Sequence, residues 1–463
     1  MIYLPPAWLL LCAGIFILLP LTNCTGEKNI PGLRDTDKIP EYDNAESPGS
    51  NTESLKITFP DSQDFPYTVM VKAAPPDIKI DCAGKELVPS ERSGGIFSLR
   101  LESGSNSLRF YSPGYLTEYL RPEEISGRLR KDILQIKLEP ALGKYQLVTE
   151  IGTGEQPKSA FFSPDGKRIF VPLLNESGID VFSFSPGNNQ DMLVFEQRLT
   201  VPGSGAKGFV EALADAERGE LWVSNMEDHK VHIYDLGTLA YKTGIKTGGA
   251  MPKVIVQNPG GTLTAVSNWQ SRDISLFDSD SKKVVARIPA GGTPRGMVFS
   301  PDGKLLYTAI FDEATVAVID IALQKVIRNF KLHSGPGACR HILYGSGKLY
   351  VTDMAAGRVI TADAENGKVL RAVYVGPNLN TMVFSPDKKY LYVSSRGKNN
   401  PEDYTKPGPD FGSVSVLSAE DLSPAGRIWG RNQPTGLAVS PDGKFFVFTD
   451  FLDANMELYE TAF

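Results

Sequence analysis

A cation recurs at one place in this chain. Five residues before several Ser-Pro-Asp-Gly-Lys turns, or their drifted copies, stand Lys158, Lys253 and Arg295. In a further copy Cys339 takes that place and Arg340 follows it, while Glu211, Asn380 and Thr435 fall at or beside the same level elsewhere. Brought to one mouth, these side chains would form a partly basic ring suited to a small anionic ligand or an acidic loop of a partner protein. The bland alternative is that each long side chain lies over its own strand and keeps its head in water.

Asn175, Asn225, Asn268, Asp353 and Asp450 recur at a second level. Convergent oxygens could hold a metal, but every repeat also needs a residue to turn the chain, which Asn and Asp do well. Of the four histidines, His229 and His232 stand three apart beside a strand and so face opposite ways, and His341 is expected to be a satisfied core residue. No GxSxG, HExxH, phosphate-loop or dinucleotide fingerprint occurs, so no catalytic residue, cofactor or metal is assigned.

What positions these residues is a repeated hairpin. SPDGK begins at Ser163, Ser300 and Ser440, and SPDKK at Ser385, each between two apolar runs. Pro presets φ, Asp bonds back to the backbone and Gly accepts positive φ, which closes a tight turn between strands. Drifted copies lie near 215, 258 and 344, giving seven anchors at intervals of 52, 43, 42, 44, 41 and 55 residues. That period suits a four-stranded propeller blade, and the flanking runs lack helical periodicity. The ends complement each other. The strand at Tyr145 to Gly152 has no earlier partner and the last repeat is one outer strand short, so the first strand is expected to complete the seventh blade. The fold class is all-β: a seven-bladed propeller over 144–463, closed by an N-terminal outer strand.

Before the ring come three other regions. Residues 7–22 are apolar but short for a membrane span, and they end at Cys24. Residues 1–23 resemble a bacterial lipoprotein signal peptide with Cys24 as the acylated residue; a secretory signal or an uncleaved anchor is the alternative. All three readings export the protein. Residues 24–54, rich in charge and Pro, are read as a flexible tether. Residues 55–141 hold about six short alternating runs, enough for a small β-sandwich independent of the ring. Cys82 and Cys339 then fall in separate units and are expected to be unpaired thiols. A net charge of −6 offers no basic field for nucleic acid.

The letters PRGMVFSPDGKLLYTA followed by VAVID, and PTGLAVSPDGKFFVFTD near the C-terminus, closely resemble the YVTN or YncE-like bacterial envelope propellers. The segment from Ala73 to Pro89, with SPGY at Ser112 and the closing IKLEP, looks like a PEGA-type domain. With the N-terminal signal, the chain is expected to be an exported, lipid-anchored monomer at the outer membrane or on the periplasmic or extracellular face, and the convergence of loops without a catalytic constellation points to binding rather than catalysis. One insertion stands out, Arg396 to Val414 in blade six, carrying Arg396 and Tyr404. It is either a binding element or a lid over the channel. The expected function is recognition of an envelope or extracellular protein, or of a small anionic ligand, through the loop-rich face. The alternatives are a metal-dependent, lactonase-like hydrolase near Glu211, Asn268 and Asp353, and a structural spacer.

Overall fold

The computed structural model describes residues 67–461, apart from short stretches within 83–144 and residues 188–191. The apolar run, Cys24 and the tether lie outside the described residues, as does the side chain of Cys82.

Each full SPDGK copy folds through one set of bonds. The Ser hydroxyl donates to the Asp carboxylate two residues on, at 2.6–2.7 Å in all four copies. That carboxylate also accepts the N–H of the fifth residue at 3.1 Å. Gly166, Gly303 and Gly443 hold φ of 71–75°, and Lys388 holds 57° in the copy that lacks Gly. Ser, Asp and Gly therefore each satisfy one need of the turn, which is why the letters repeat.

The hairpins build seven four-stranded antiparallel sheets. In blade four the strands run Pro294–Phe299, Leu305–Ile310, Thr315–Asp320 and Lys325–Lys331, from the channel outward. Second and third strands are buried almost throughout, as expected where each sheet is covered on both faces by its neighbours. Blade seven takes its outer strand from the start of the ring: Gln146–Gly152 pairs antiparallel with Asn455–Glu460, Leu147 opposite Tyr459 and Thr149 opposite Leu458. The expected closure is what the structure shows, and it leaves no open edge between first and last blades.

The inner strands share a second device. In blades two, three, four, six and seven two residues oppose one on the second strand, a β-bulge at 210–211, 253–254, 295–296, 380–381 and 435–436; blade five bulges at Arg340. A Ser or Thr on the second strand caps the bulge N–H: Ser224, Ser267, Thr352, Ser394 and Thr449. The same hydroxyls donate onward to a carbonyl of the next blade, those of Lys253, Arg295, Asn380, Thr435 and Pro157. These relays stitch blade to blade around the channel. The glycine of the repeat has its reason here too, since a Cβ on Gly436 would stand 2.6 Å from the Ser159 carbonyl carbon and 2.7 Å from Ala160 N. Gly436→Ala is expected to cost about 1–3 kcal/mol by overpacking the seam between blades seven and one. A denaturant midpoint equal to that of the natural chain would show the seam to be looser than this.

The strands before the ring form two sheets. One centres on Tyr67–Ala74, paired with Ile96–Leu101 and Ile133–Lys137; the other joins Lys79–Cys82 to Leu108–Tyr111. Val71, Ile80, Phe97, Phe110 and Leu134 fill the space between them. Nine strands are described rather than about six, because Lys85–Glu86, Arg92–Ser93 and Leu129–Arg130 are two-residue strands too short to leave an alternating pattern.

These sheets pack against the ring. Leu108–Tyr111 is buried at every residue: Leu108 and Phe110 face the sandwich core, while Tyr111 packs with Tyr145, Tyr392 and Phe446 of the propeller. Arg109 is fully buried and pairs with Glu457, with Glu150 at 3.3 Å and with Asp81 at 3.6 Å. Arg431 closes the cluster, 2.8 Å from both Asp81 and Glu150, and the Tyr111 hydroxyl donates to Glu150 at 2.6 Å. Burial pushes the Glu150 carboxyl up, but Arg431, Arg109 and the Tyr111 hydroxyl outweigh it and hold it below its usual range. The strand that closes the ring thus also anchors the preceding sheets.

Candidate functional site

The bulges decide which side chains reach the channel. Lys253 and Arg295 occupy the first bulge position of blades three and four, and Lys158 holds the corresponding place in blade one, after Pro157 bridges to Leu173. Pairing of Cys339 with Asp353 puts Arg340 at that same level, together with Asn380 in blade six and Thr435 in blade seven. The sequence alignment had Arg340 one place off, because the turn before Lys348 is shorter than SPDGK. In blade two the level position is Val210, and Glu211 enters from the next place.

Six of the expected site residues form one electrostatic group. Burial holds the Lys158 ammonium well below its ordinary range, and Arg340, Arg396, Arg295 and Lys253 push it further down. Lys253 is lowered by burial, then by Arg295 and Arg340, against the pull of Glu211. Arg340 is lowered by burial, Arg295 and Arg396, and Arg396 is brought down to about 10, again by burial. Burial raises the Glu211 carboxyl against the pull of Arg295, Arg340, Lys158 and Lys253. Its nearest approach is to Arg295, at 3.9 Å. Lys158, Glu211 and Lys253 are only half-buried, so they are enclosed by the blades and still reached by water.

Several polar atoms in this group have no protein partner. They are Arg295 Nη1, Arg396 Nε, Asn380 Nδ2 and His341 Nδ1. Asn380 accepts from Arg340 through its oxygen, which leaves the amide N–H groups free to donate. His341 is not the satisfied core residue expected: burial, then Arg295 and Arg340, lowers it to about 3, so it is neutral at the channel. A buried charge without a counter-charge is costly, and the buried guanidinium groups of Arg295, Arg340 and Arg396 against one carboxylate leave most of that cost uncompensated. An oxyanion would relieve it.

The blade-six insertion sits over this group. Arg396 lies over the rings of Tyr404 and Phe451 at 5.5 and 5.2 Å and donates to Gln433. Gln433 in turn donates to the Tyr404 carbonyl at 2.6 Å, which ties the loop to blade seven. Phe411 is buried, and a Cβ on Gly408 would fall 1.9 Å from the Lys398 carbonyl oxygen. The loop is braced against itself and the ring.

The asparagine and aspartate set serves local structure. Asn225 Oδ1 accepts the N–H groups of Glu227 and Asp228, and Asn268 donates to Asp273 and Ser275. Asp353 accepts three backbone N–H groups and pairs with His333 at 2.7 Å. Among the described residues no group of three or more His, Cys, Asp or Glu is placed to hold a metal. Cys339 is a buried free thiol, pushed up by burial. On the opposite, SPDGK face a cleft of about 590 Å³ opens between blades one and two, but its Arg168 is already held by Glu196 at 2.9 Å and the Gly237 carbonyl at 3.1 Å.

No family model matches the chain. It is 36% identical over 368 residues, 76% of this chain and 77% of the other, to Antigen Lp49 of Leptospira interrogans serogroup Icterohaemorrhagiae serovar copenhageni (strain Fiocruz L1-130). With that identity over three-quarters of both chains, this seven-bladed β protein belongs to the family of the leptospiral antigen Lp49.

Proposed function

We propose that the protein is a non-catalytic receptor of the cell envelope that binds an anionic ligand at the channel mouth on its loop-rich face. The observation that carries this is the group of Lys158, Lys253, Arg295, Arg340 and Arg396 facing a single carboxylate, with buried donors left unused. The relative's name as an antigen supports exposure to the outside. Attachment through an acylated Cys24 and a place among the YVTN-type propellers complete this reading.

Binding should take up protons. An anion favours the charged form of Lys158 and Lys253, whose ammonium groups burial and their neighbours have lowered. Affinity is therefore highest where both lysines are already protonated and falls as pH rises through their depressed range, by up to about tenfold per pH unit for each proton taken up. Calorimetric titration of the full chain with citrate, at constant ionic strength and in buffers of different ionisation heat, checks this. Citrate affinity that does not vary with pH, or no binding at any pH, would contradict it.

A further inference from the structure

Above the basic ring runs a second ring, one residue per blade, directly after the second strand or, in blade one, after the bridging Leu173. Its backbone is fixed the same way each time: the N–H of Leu174, Met226, Trp269, Phe311, Met354 and Phe451 donates to the carbonyl two residues before the bulge level of its own blade. Arg396 fills the blade-six place by the same bond, to Asn378 at 3.2 Å. The ring is thus apolar except where the insertion begins. Leu174, Met226, Trp269, Phe311 and Met354 are all half-buried, whereas the exposed large apolar residues elsewhere on the ring belong to outer strands or, for Leu323, to the turn before one.

The two rings touch. Lys158 Nζ lies 4.7 Å from the centre of the Phe451 ring, and Lys253 Nζ lies 5.8 Å from Trp269 and 2.8 Å from Met226 Sδ. Trp269 and Phe311 have ring centroids 4.5 Å apart, forming an aromatic wall across the channel from blades six and seven. On those blades Arg396, Tyr404 and Gln433 close the opposite side. A mouth with a basic floor, one aromatic wall and one braced polar wall matches a molecule with a charged end and a flat apolar body.

We propose that the ligand is a small organic anion, its oxyanion head held by Arg295, Arg340 and Asn380 and its aromatic or other flat apolar body against Trp269 and Phe311. This rests on the reading that the mouth binds anions and adds the apolar half of the specificity. An acidic protein loop would use the basic floor and reach the wall only through an aromatic side chain of its own.

The test compares acetate, inorganic phosphate and 2-naphthoate on the full chain by calorimetry at equal pH and ionic strength. Naphthoate is expected to bind at least about tenfold tighter than acetate, from burial of its rings. Trp269→Ala with Phe311→Ala should abolish that advantage while phosphate still binds, its affinity shifted only by the loss of the Trp269 face beside Lys253, which also reports that the variant is folded. Trp269→Phe should keep most of it. Acetate and naphthoate binding equally to the natural chain would overturn the proposal and leave the anion site standing. Failure of all three anions to bind would overturn both. An advantage of naphthoate that survives the double substitution would place the apolar contact elsewhere and overturn the assignment to this wall.

Discussion

Replacing Arg340 with glutamine is expected to lower citrate affinity by about a hundredfold while leaving the melting temperature unchanged or higher. The two effects have one cause. Arg340 is among the neighbours that lower Lys158, Lys253 and His341, and its own guanidinium is lowered by burial, Arg295 and Arg396. In the free protein this charge is repelled by its surroundings, so removing it relieves the fold. Glutamine keeps a donor toward Asn380, whose oxygen accepts from Arg340. A residue that merely covers its strand with its stem would show the reverse, a modest loss of stability and no change in citrate binding. Calorimetry and a thermal melt on the same preparation separate the two.

Arg109→Met is expected to cost about 3–5 kcal/mol of stability, the loss typical of removing one partner from a buried ion cluster. Asp81 and Glu457 are both fully buried, and of these two Arg431 pairs with Asp81. The loss should grow with pH. Burial already raises the Asp81 carboxyl above 3.8 against the pull of Arg109 and Arg431, and without Arg109 it rises further. A carboxyl raised in the folded state favours folding when protonated, and that contribution disappears as pH climbs from the unfolded value through the folded one. Denaturant melts between about pH 5 and 8 should therefore diverge from those of the natural chain toward the alkaline end. Adding Glu457→Gln should recover part of the loss, because the stranded charge is then gone. Equal stability of Arg109→Met and the natural chain would show that the N-terminal sheets and the ring are not coupled through this cluster.

The ring was legible because its instructions are local. SPDGK encodes a turn in five residues and recurs, so reading it does not depend on distant contacts. The missing fourth strand of blade seven was legible as a count. The level of Arg340 was misread by one residue because the turn at Ser346 and Gly347, with φ of 51° and 74°, shortens the hairpin that served as ruler. His341 was misread for the same reason, as a core residue rather than one beside Arg295 and Arg340. The aromatic wall left no sign, since Trp269 and Phe311 meet only when blades three and four stand side by side. Docking of the N-terminal sheets rests on contacts hundreds of residues apart, such as Arg109 with Glu457. Its one sequence signal was an arginine inside the apolar run SLRFYS.

Anomalous scattering from crystals of the full chain soaked in selenate tests the anion site most directly. The expected result is a selenium peak on the channel axis, within hydrogen-bond distance of Arg295, Arg340 and the Asn380 amide, and its absence from crystals of Arg340→Gln. Selenium peaks confined to surface lysines, with none at the mouth, would contradict it.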